Sequence, residues 1–241
     1  MKNLFVLLIF LILSSLFYLT PLDIETDSAS MFLTVSTFIF AIIIGFFISR
    51  QNTRHNDIRS IISEFDGNLS ALYRGFESLG GVAKKQAGLI IKKHYQKILT
   101  TKQWNWHFLH KSKTIIDLNN LLIKIGGKKR YPTVQTEIIN NMIHSLDSLQ
   151  VTRKRMVSLN VERMPKSEWM LTVLLAGVLL FSLWLIPTHQ EIITSVIKGV
   201  FGALVVQMVI LLYGLDNLAL FEGVLGESSA QDILGIIAGK K

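Results

Sequence analysis

The chain has no cysteine, which excludes structural disulfides, thiol nucleophiles, iron–sulfur clusters and thiolate zinc sites at once. Strand-like alternation, low-complexity tracts and repeats of about 20–50 residues are also missing. No Walker loop, nucleophile elbow, HExxH or dinucleotide fingerprint appears, so the sequence predicts neither an enzyme nor a bound cofactor. Helix breakers are few and sit where turns are wanted: Gly80-Gly81, Gly126-Gly127 ahead of Lys128-Lys129-Arg130 and Pro132, and Pro165. Lys and Arg are absent from two short stretches. One is residues 21–30, which hold Asp23, Glu25 and Asp27; the other is the tight loop around Pro187–Glu191.

What is present explains these gaps. Half of the residues are apolar and the mean hydropathy is positive, too greasy for an ordinary soluble domain. The excess lies in four spans, 3–20, 31–49, 169–187 and 192–214. A bilayer core about 30 Å thick needs about 20 apolar helical residues. The first span supplies 18 residues, 13 of them Leu, Ile, Phe or Val, and its insertion is favoured by about 4 to 8 kcal/mol. Its positive flank is a lone Lys2, its apolar run is long and no A-x-A site follows, so it reads as a retained helix and not a signal peptide.

Orientation follows from the basic residues near the span ends. Arg50, Arg54 and Arg59 follow the second span, and Arg153, Lys154, Arg155, Arg163 and Lys166 precede the third. The fold class predicted is all-α: a polytopic membrane protein with four transmembrane helices in a two-plus-two arrangement around a central cytoplasmic helical bundle. Its parts are 1–49 (helices 1 and 2), 50–168 (bundle), 169–215 (helices 3 and 4) and 216–241 (a tail with a short helix). Both termini, with Lys2, Lys240 and Lys241, are then cytoplasmic, and the expected location is a cell membrane, crossed several times, with a bacterial inner membrane favoured.

The bundle carries 21 Lys/Arg against 9 Asp/Glu. In a juxtamembrane domain this charge serves topology and attraction to anionic lipid at about 1 kcal/mol per nearby cation, and a nucleic-acid partner is not expected. Residues 132–163 lay Val134, Ile138, Met142, Leu146, Leu149, Met156 and Asn160 along one helical stripe, interrupted by Arg153. Residues 52–79 and 83–124 are also helical in composition, the latter breaking near Thr100-Thr101. Leu89, Ile90, Ile91, Ile98, Leu99, Ile115, Ile116, Leu121 and Leu122 are candidate core. A tail helix is expected from Ser229, which with Asp232 makes a capping-box-like pair.

Three constellations carry candidate chemistry. On the second span Thr34, Thr37, Ala41, Gly45 and Ser49 share one small, hydroxylated face with Phe38 at its edge. Such a face lines a water-filled path with Phe38 as a constriction, or packs helices through the Ala41/Gly45 small-xxx-small pair; packing is the commoner use, and the two are compatible around an oligomer axis. Lys198 and Asp216 stand near the ends of the fourth span. Each is a functional candidate by default, although Lys198 is close enough to the outer interface to snorkel. Gln207, mid-span, requires a hydrogen-bond partner, expected across helices. Arg50, Arg54, Arg153, Lys154 and Arg155 are candidates for lipid or anion contact. His107 and His110 lack a third ligand, and Glu222, Glu227 and Asp232 lack an EF-hand spacing, so no metal is assigned. Trp104, Trp106 and Phe108 read as packing aromatics.

Three segments resemble the bestrophin-like membrane proteins. His94-Tyr95-Gln96-Lys97-Ile98-Leu99 running to Trp104 is similar to the family's tyrosine before Glu-Trp, with Gln103 in place of the Glu. Arg153-Lys154-Arg155-Met156 through Met164-Pro165-Lys166-Ser167-Glu168-Trp169 resembles Arg-x-x-Arg followed by Leu-Pro and Trp. Leu215-Asp216 through Phe221-Glu222-Gly223 resembles Asp-x-Pro-Phe-x-Gly, with Leu218-Ala219-Leu220 around the missing proline. Bestrophins are pentameric anion channels with four membrane helices and a helical cytosolic domain. The resemblance therefore implies a homo-oligomer, a pentamer by analogy, with membrane lipids and inorganic anions as partners. Neck aromatics and a calcium clasp are not recognisable, so calcium gating is not implied. The reading is an anion-favouring channel lined by the second span. Its rival is a non-conducting scaffold or signalling protein that binds lipid or a cytoplasmic partner.

Overall fold

A computed structural model describes residues 2–19, 26–110, 113–127, 133–186, 192–218 and 225–239. The described residues form helices and turns, with no strand among them. In chain order the helices are α1 (Lys2–Leu19), α2 (Thr26–Leu79), α3 (Gly81–Thr101), α4 (Trp106–Leu109), α5 (Thr114–Gly126), α6 (Thr133–Val161), α7 (Lys166–Leu185), α8 (Ile192–Asp216) and α9 (Leu225–Ile237). Among the described residues three helices, α2, α7 and α8, are long and apolar enough to cross a membrane, while the apolar stretch described in α1 is the shorter Leu7–Leu19. The loops at 21–25 and 187–191, the basic run 128–130 with Pro132, and the closing Phe221-Glu222-Gly223 lie outside the described residues.

The 54 residues of α2 form one unbroken helix, about 81 Å long at 1.5 Å per residue. It carries the second apolar span on into the helical stretch read from residue 52 as a single element. It holds no proline, and its internal glycines stand singly, so nothing ends it before Gly80. There the backbone takes φ 130°, a conformation in which any side chain is strained, and α3 starts at once.

Two compact units result: residues 1–53 with 163–217, and residues 54–162 with 218–241. The core of the first is Phe40, Ile44 and Phe47 of α2 against Leu179 of α7 and Val205 and Leu212 of α8. Ser36 and Ser182 meet across α2 and α7 at 3.2 Å while donating to Phe32 O and Val178 O of their own helices. Helix α1 packs on α8. Its approach depends on Gly199, where a Cβ would fall on the Ser14 hydroxyl, and on Gly202, where a Cβ would lie 3.0 Å from Leu13 and 3.3 Å from Leu180.

The second unit gathers Phe65, Leu69 and Leu72 of α2, Ile91 of α3, Leu118 of α5 and Leu149 of α6 into one core. Each such side chain, when fully buried, contributes about 1.5–3 kcal/mol. Helix α3 ends at Thr101 through Lys102 in the left-handed conformation, close to the expected break. Three expectations are corrected. Leu89 and Ile116 are not core but 60% and 59% exposed, because α3 buries the face of Ala87, Ile91, His94 and Ile98. Val134 is exposed, so the buried stripe of α6 starts further along, at Met142. The tail helix begins at Leu225, which places Ser229 inside it instead of at its cap.

Candidate functional site

The membrane part of α2 divides into three sectors at about 100° per residue. One, holding Ser36, Phe40, Ile44 and Phe47, is buried against α7 and α8. The next holds Val35, Ile39, Ile42 and Phe46, all large, apolar and exposed. The third is the stripe singled out in the sequence. Thr34, Ala41, Gly45 and Ser49 are exposed, Phe38 at its edge is 67% exposed, and Thr37 is half-buried. A Cβ added at Gly45 would meet no atom of the described residues within 4 Å. The small face is thus left exposed by the other described residues, and it differs in chemistry from the large apolar sector beside it. The hydroxyl protons of Thr34 and Thr37 are donated back to Ser30 O (2.9 Å) and Leu33 O (2.8 Å), so these threonines turn methyl groups and oxygen lone pairs outward.

Lys198 and Asp216 are both buried, at opposite ends of α8. Lys198 donates to the carbonyl of Ile186, just past the end of α7, and its ammonium lies 5.9 Å from the centre of the Phe17 ring. A cation at a helix C-terminus satisfies an orphan carbonyl and favours the dipole. Asp216 accepts the backbone N–H of Met164 at 2.7 Å and the indole N–H of Trp169 at 3.1 Å. Next to this, Arg50 forks onto both oxygens of Glu168. The second and third resembling segments, far apart in sequence, therefore meet where α7 begins and α8 ends.

The remaining cationic candidates fall in three environments. Arg54 is buried and donates to Leu159 O (2.7 Å) and Asn160 O (3.2 Å), closing the end of α6. Arg153 is half-buried, and its Nε has no acceptor among the described residues. Lys154 and Arg155 are exposed, with Arg155 3.7 Å from Glu64. Gln207 is exposed on α8 and has no partner among the described residues.

Two arrangements in the second unit are not legible in the sequence. Asp66 of α2 receives the hydroxyls of Tyr95 and Ser229, which fastens α9 to α2 and α3. Burial raises the Asp66 carboxyl above its usual range, against those two hydrogen bonds. Tyr95 lies in a resembling segment, but its partners are far off in sequence and no spacing announces them. His107, noted with His110, stacks instead on His94, with ring centres 3.6 Å apart. Its Nε2 donates to the His94 carbonyl at 2.8 Å, and His94 Nδ1 meets the Thr114 hydroxyl at 3.0 Å. Burial, then the charge of the other ring, holds His94 well below the usual 6.5. Burial likewise lowers His107. No group of three or more His, Cys, Asp or Glu able to hold a metal occurs among the described residues. Trp104 and Phe108 are buried and Trp106 half-buried.

A family model described as the Bestrophin-like domain matches residues 3–226. None of the curated proteins matches the sequence. Among solved structures, a crystal structure described as that of a membrane protein is similar with a TM-score of 0.66 and 14% identity, over 98% of this chain and 97% of its own. At that identity the likeness is one of fold.

Proposed function

The chain belongs to the bestrophin-like family and is a membrane protein, and from that premise we propose that several copies assemble into an ion channel lined by α2, with the basic domain as its cytoplasmic vestibule. In this reading α1 supplies a fourth crossing, and both termini and residues 50–168 are cytoplasmic. The observation that carries it is the small stripe of Thr34, Ala41, Gly45 and Ser49, which the other described residues leave exposed beside a sector fit for lipid. Assembly around an axis gives that stripe either water or a neighbouring helix. Gln207 supports assembly independently, since an amide exposed in mid-span has no water to bond and needs a partner from another chain.

Anions are favoured over cations through charge outside the membrane. Because the Thr34 and Thr37 hydroxyl protons are already used, the stripe offers an anion few donors. The excess of Lys and Arg in residues 50–168 raises the local anion concentration at the mouth. The rival reading, a non-conducting scaffold, uses the same stripe for packing alone.

Mass measurement in mild detergent and reconstitution into planar bilayers under asymmetric chloride test the proposal. A strict monomer removes the channel reading, because so few helices cannot enclose a pore. Silence across voltage, pH and calcium favours the scaffold. A reversal potential that follows the cation gradient overturns the anion preference.

A further inference from the structure

A groove of about 700 Å³ in the second unit is lined by one face of α3, by Trp106 and His107 of α4, and by Lys113, Thr114 and Asp117 at the start of α5. That volume suits a small metabolite. Its bed is apolar, with Leu89, Ile90 and the half-buried Trp106 among the lining residues. Around it stand three exposed ammonium groups, Lys93 and Lys97 one turn apart on α3 and Lys113 at the start of α5. None of the three has a carboxylate partner among the described residues. Lys97 is held 4.6 Å over the Trp106 ring, so its charge is fixed at the groove and not trailing in solvent. Asp117 is the single carboxylate on the lining.

Simple solvation does not account for this arrangement. A solvated lysine face lies on a convex surface, whereas these three cations stand around a concavity that has an aromatic wall. The first turn of α5 opens at Lys113 without a side-chain cap, which adds the positive end of a 13-residue helix to the same spot. The stacked pair His94 and His107 borders the groove, with His94 hydrogen-bonded to Thr114 and His107 to the His94 carbonyl.

We propose that this groove binds a phosphate monoester, with Lys93, Lys97 and Lys113 on the phosphate and Trp106 against the organic part. Clustered ammonium groups suit a compact, multiply charged oxyanion. Asp117 is placed on the lining to accept a ligand hydroxyl. The phosphate belongs to either a soluble metabolite or a lipid headgroup, and the chemistry of recognition is common to both. The proposal does not depend on whether the protein conducts.

The test uses the full chain in detergent, titrated calorimetrically with glycerol 3-phosphate. In parallel, the chain is bound to phosphatidylcholine vesicles with and without phosphatidylinositol 4-phosphate. The variants are Lys93→Ala/Lys97→Ala in the groove and Lys124→Ala, an exposed lysine of α5 outside it. Saturable binding of a soluble phosphate, weakened at least about tenfold by the double variant and unchanged by Lys124→Ala, supports a metabolite site. The same pattern seen only with the phosphoinositide vesicles supports a headgroup site. Absence of saturable binding in both arms, or equal weakening by Lys124→Ala, overturns the proposal. Because the double variant alters exposed side chains only, its fold is checked by an unchanged unfolding temperature.

Discussion

Trp169 donates its indole N–H to Asp216 at 3.1 Å, tying the first turn of α7 to the last residue of α8. The other Asp216 oxygen takes the backbone N–H of Met164, so a single buried carboxylate holds one buried and one half-buried donor. Asp216→Ala leaves both unpaired and is expected to cost about 1–3 kcal/mol per orphaned group. Trp169→Phe removes one donor together with part of the ring and should cost less than Asp216→Ala. Thermal unfolding of the purified protein in detergent ranks the two, and an equal or reversed order counts against this assignment.

The packing of α1 rests on the absence of side chains at Gly199 and Gly202. Gly199→Val forces a side chain onto Ser14 and is expected to cost about 1–3 kcal/mol by overpacking. Gly177, on α7, has open space where a Cβ would go, so Gly177→Ala should be close to neutral or slightly stabilising through helix propensity. A pair of melting temperatures in one detergent decides it.

Docking of α9 depends on the Ser229 and Tyr95 hydroxyls meeting Asp66. Ser229→Ala and Tyr95→Phe should each raise amide exchange across residues 225–237 by about tenfold, since a hydrogen bond to a charged group is worth about 1.5–3 kcal/mol. Exchange in α6 should stay unchanged. If both helices accelerate together, the contact belongs to the whole domain and not to the tail.

Acid sensitivity follows from His94. Its imidazole titrates well below the usual 6.5 because it is buried, so between the two values the unfolded chain binds a proton that the folded one does not. The stabilisation is complete above pH 6.5 and is lost as pH falls below it. Denaturant titrations at pH 7.5 and pH 5.5 should show wild type losing more stability on acidification than His94→Gln. The raised Asp66 carboxyl acts in the opposite sense, favouring the folded state as pH falls, and it cancels in the comparison of the two proteins. An identical pH dependence would contradict the burial argument.

Much of the fold was legible because the chain marks its turns with few breakers: Gly80 ends α2, Lys102 follows the expected break after Thr101, and Pro165 precedes α7. The stripe on α2 was legible because helical periodicity alone assembles it. What escaped were features set by tertiary partners. Periodicity cannot tell that Leu89 faces a groove and Ile91 the core when both are apolar and two residues apart. A capping-box pattern at Ser229 competes with a hydroxyl bond to Asp66, 163 residues away in sequence. Arg54 reads as a juxtamembrane charge, yet it closes α6 through two carbonyls that spacing does not announce.

Tryptophan substitutions in the reconstituted protein separate the two exposed sectors of α2. Ala41 lies on the small stripe and Val35 on the large apolar sector, both exposed on the protomer. With current recorded in planar bilayers under asymmetric chloride, Ala41→Trp should cut conductance at least about tenfold by filling a constriction, while Val35→Trp leaves it near wild type. Unchanged conductance in Ala41→Trp, or the greater loss in Val35→Trp, would contradict α2 as the pore helix.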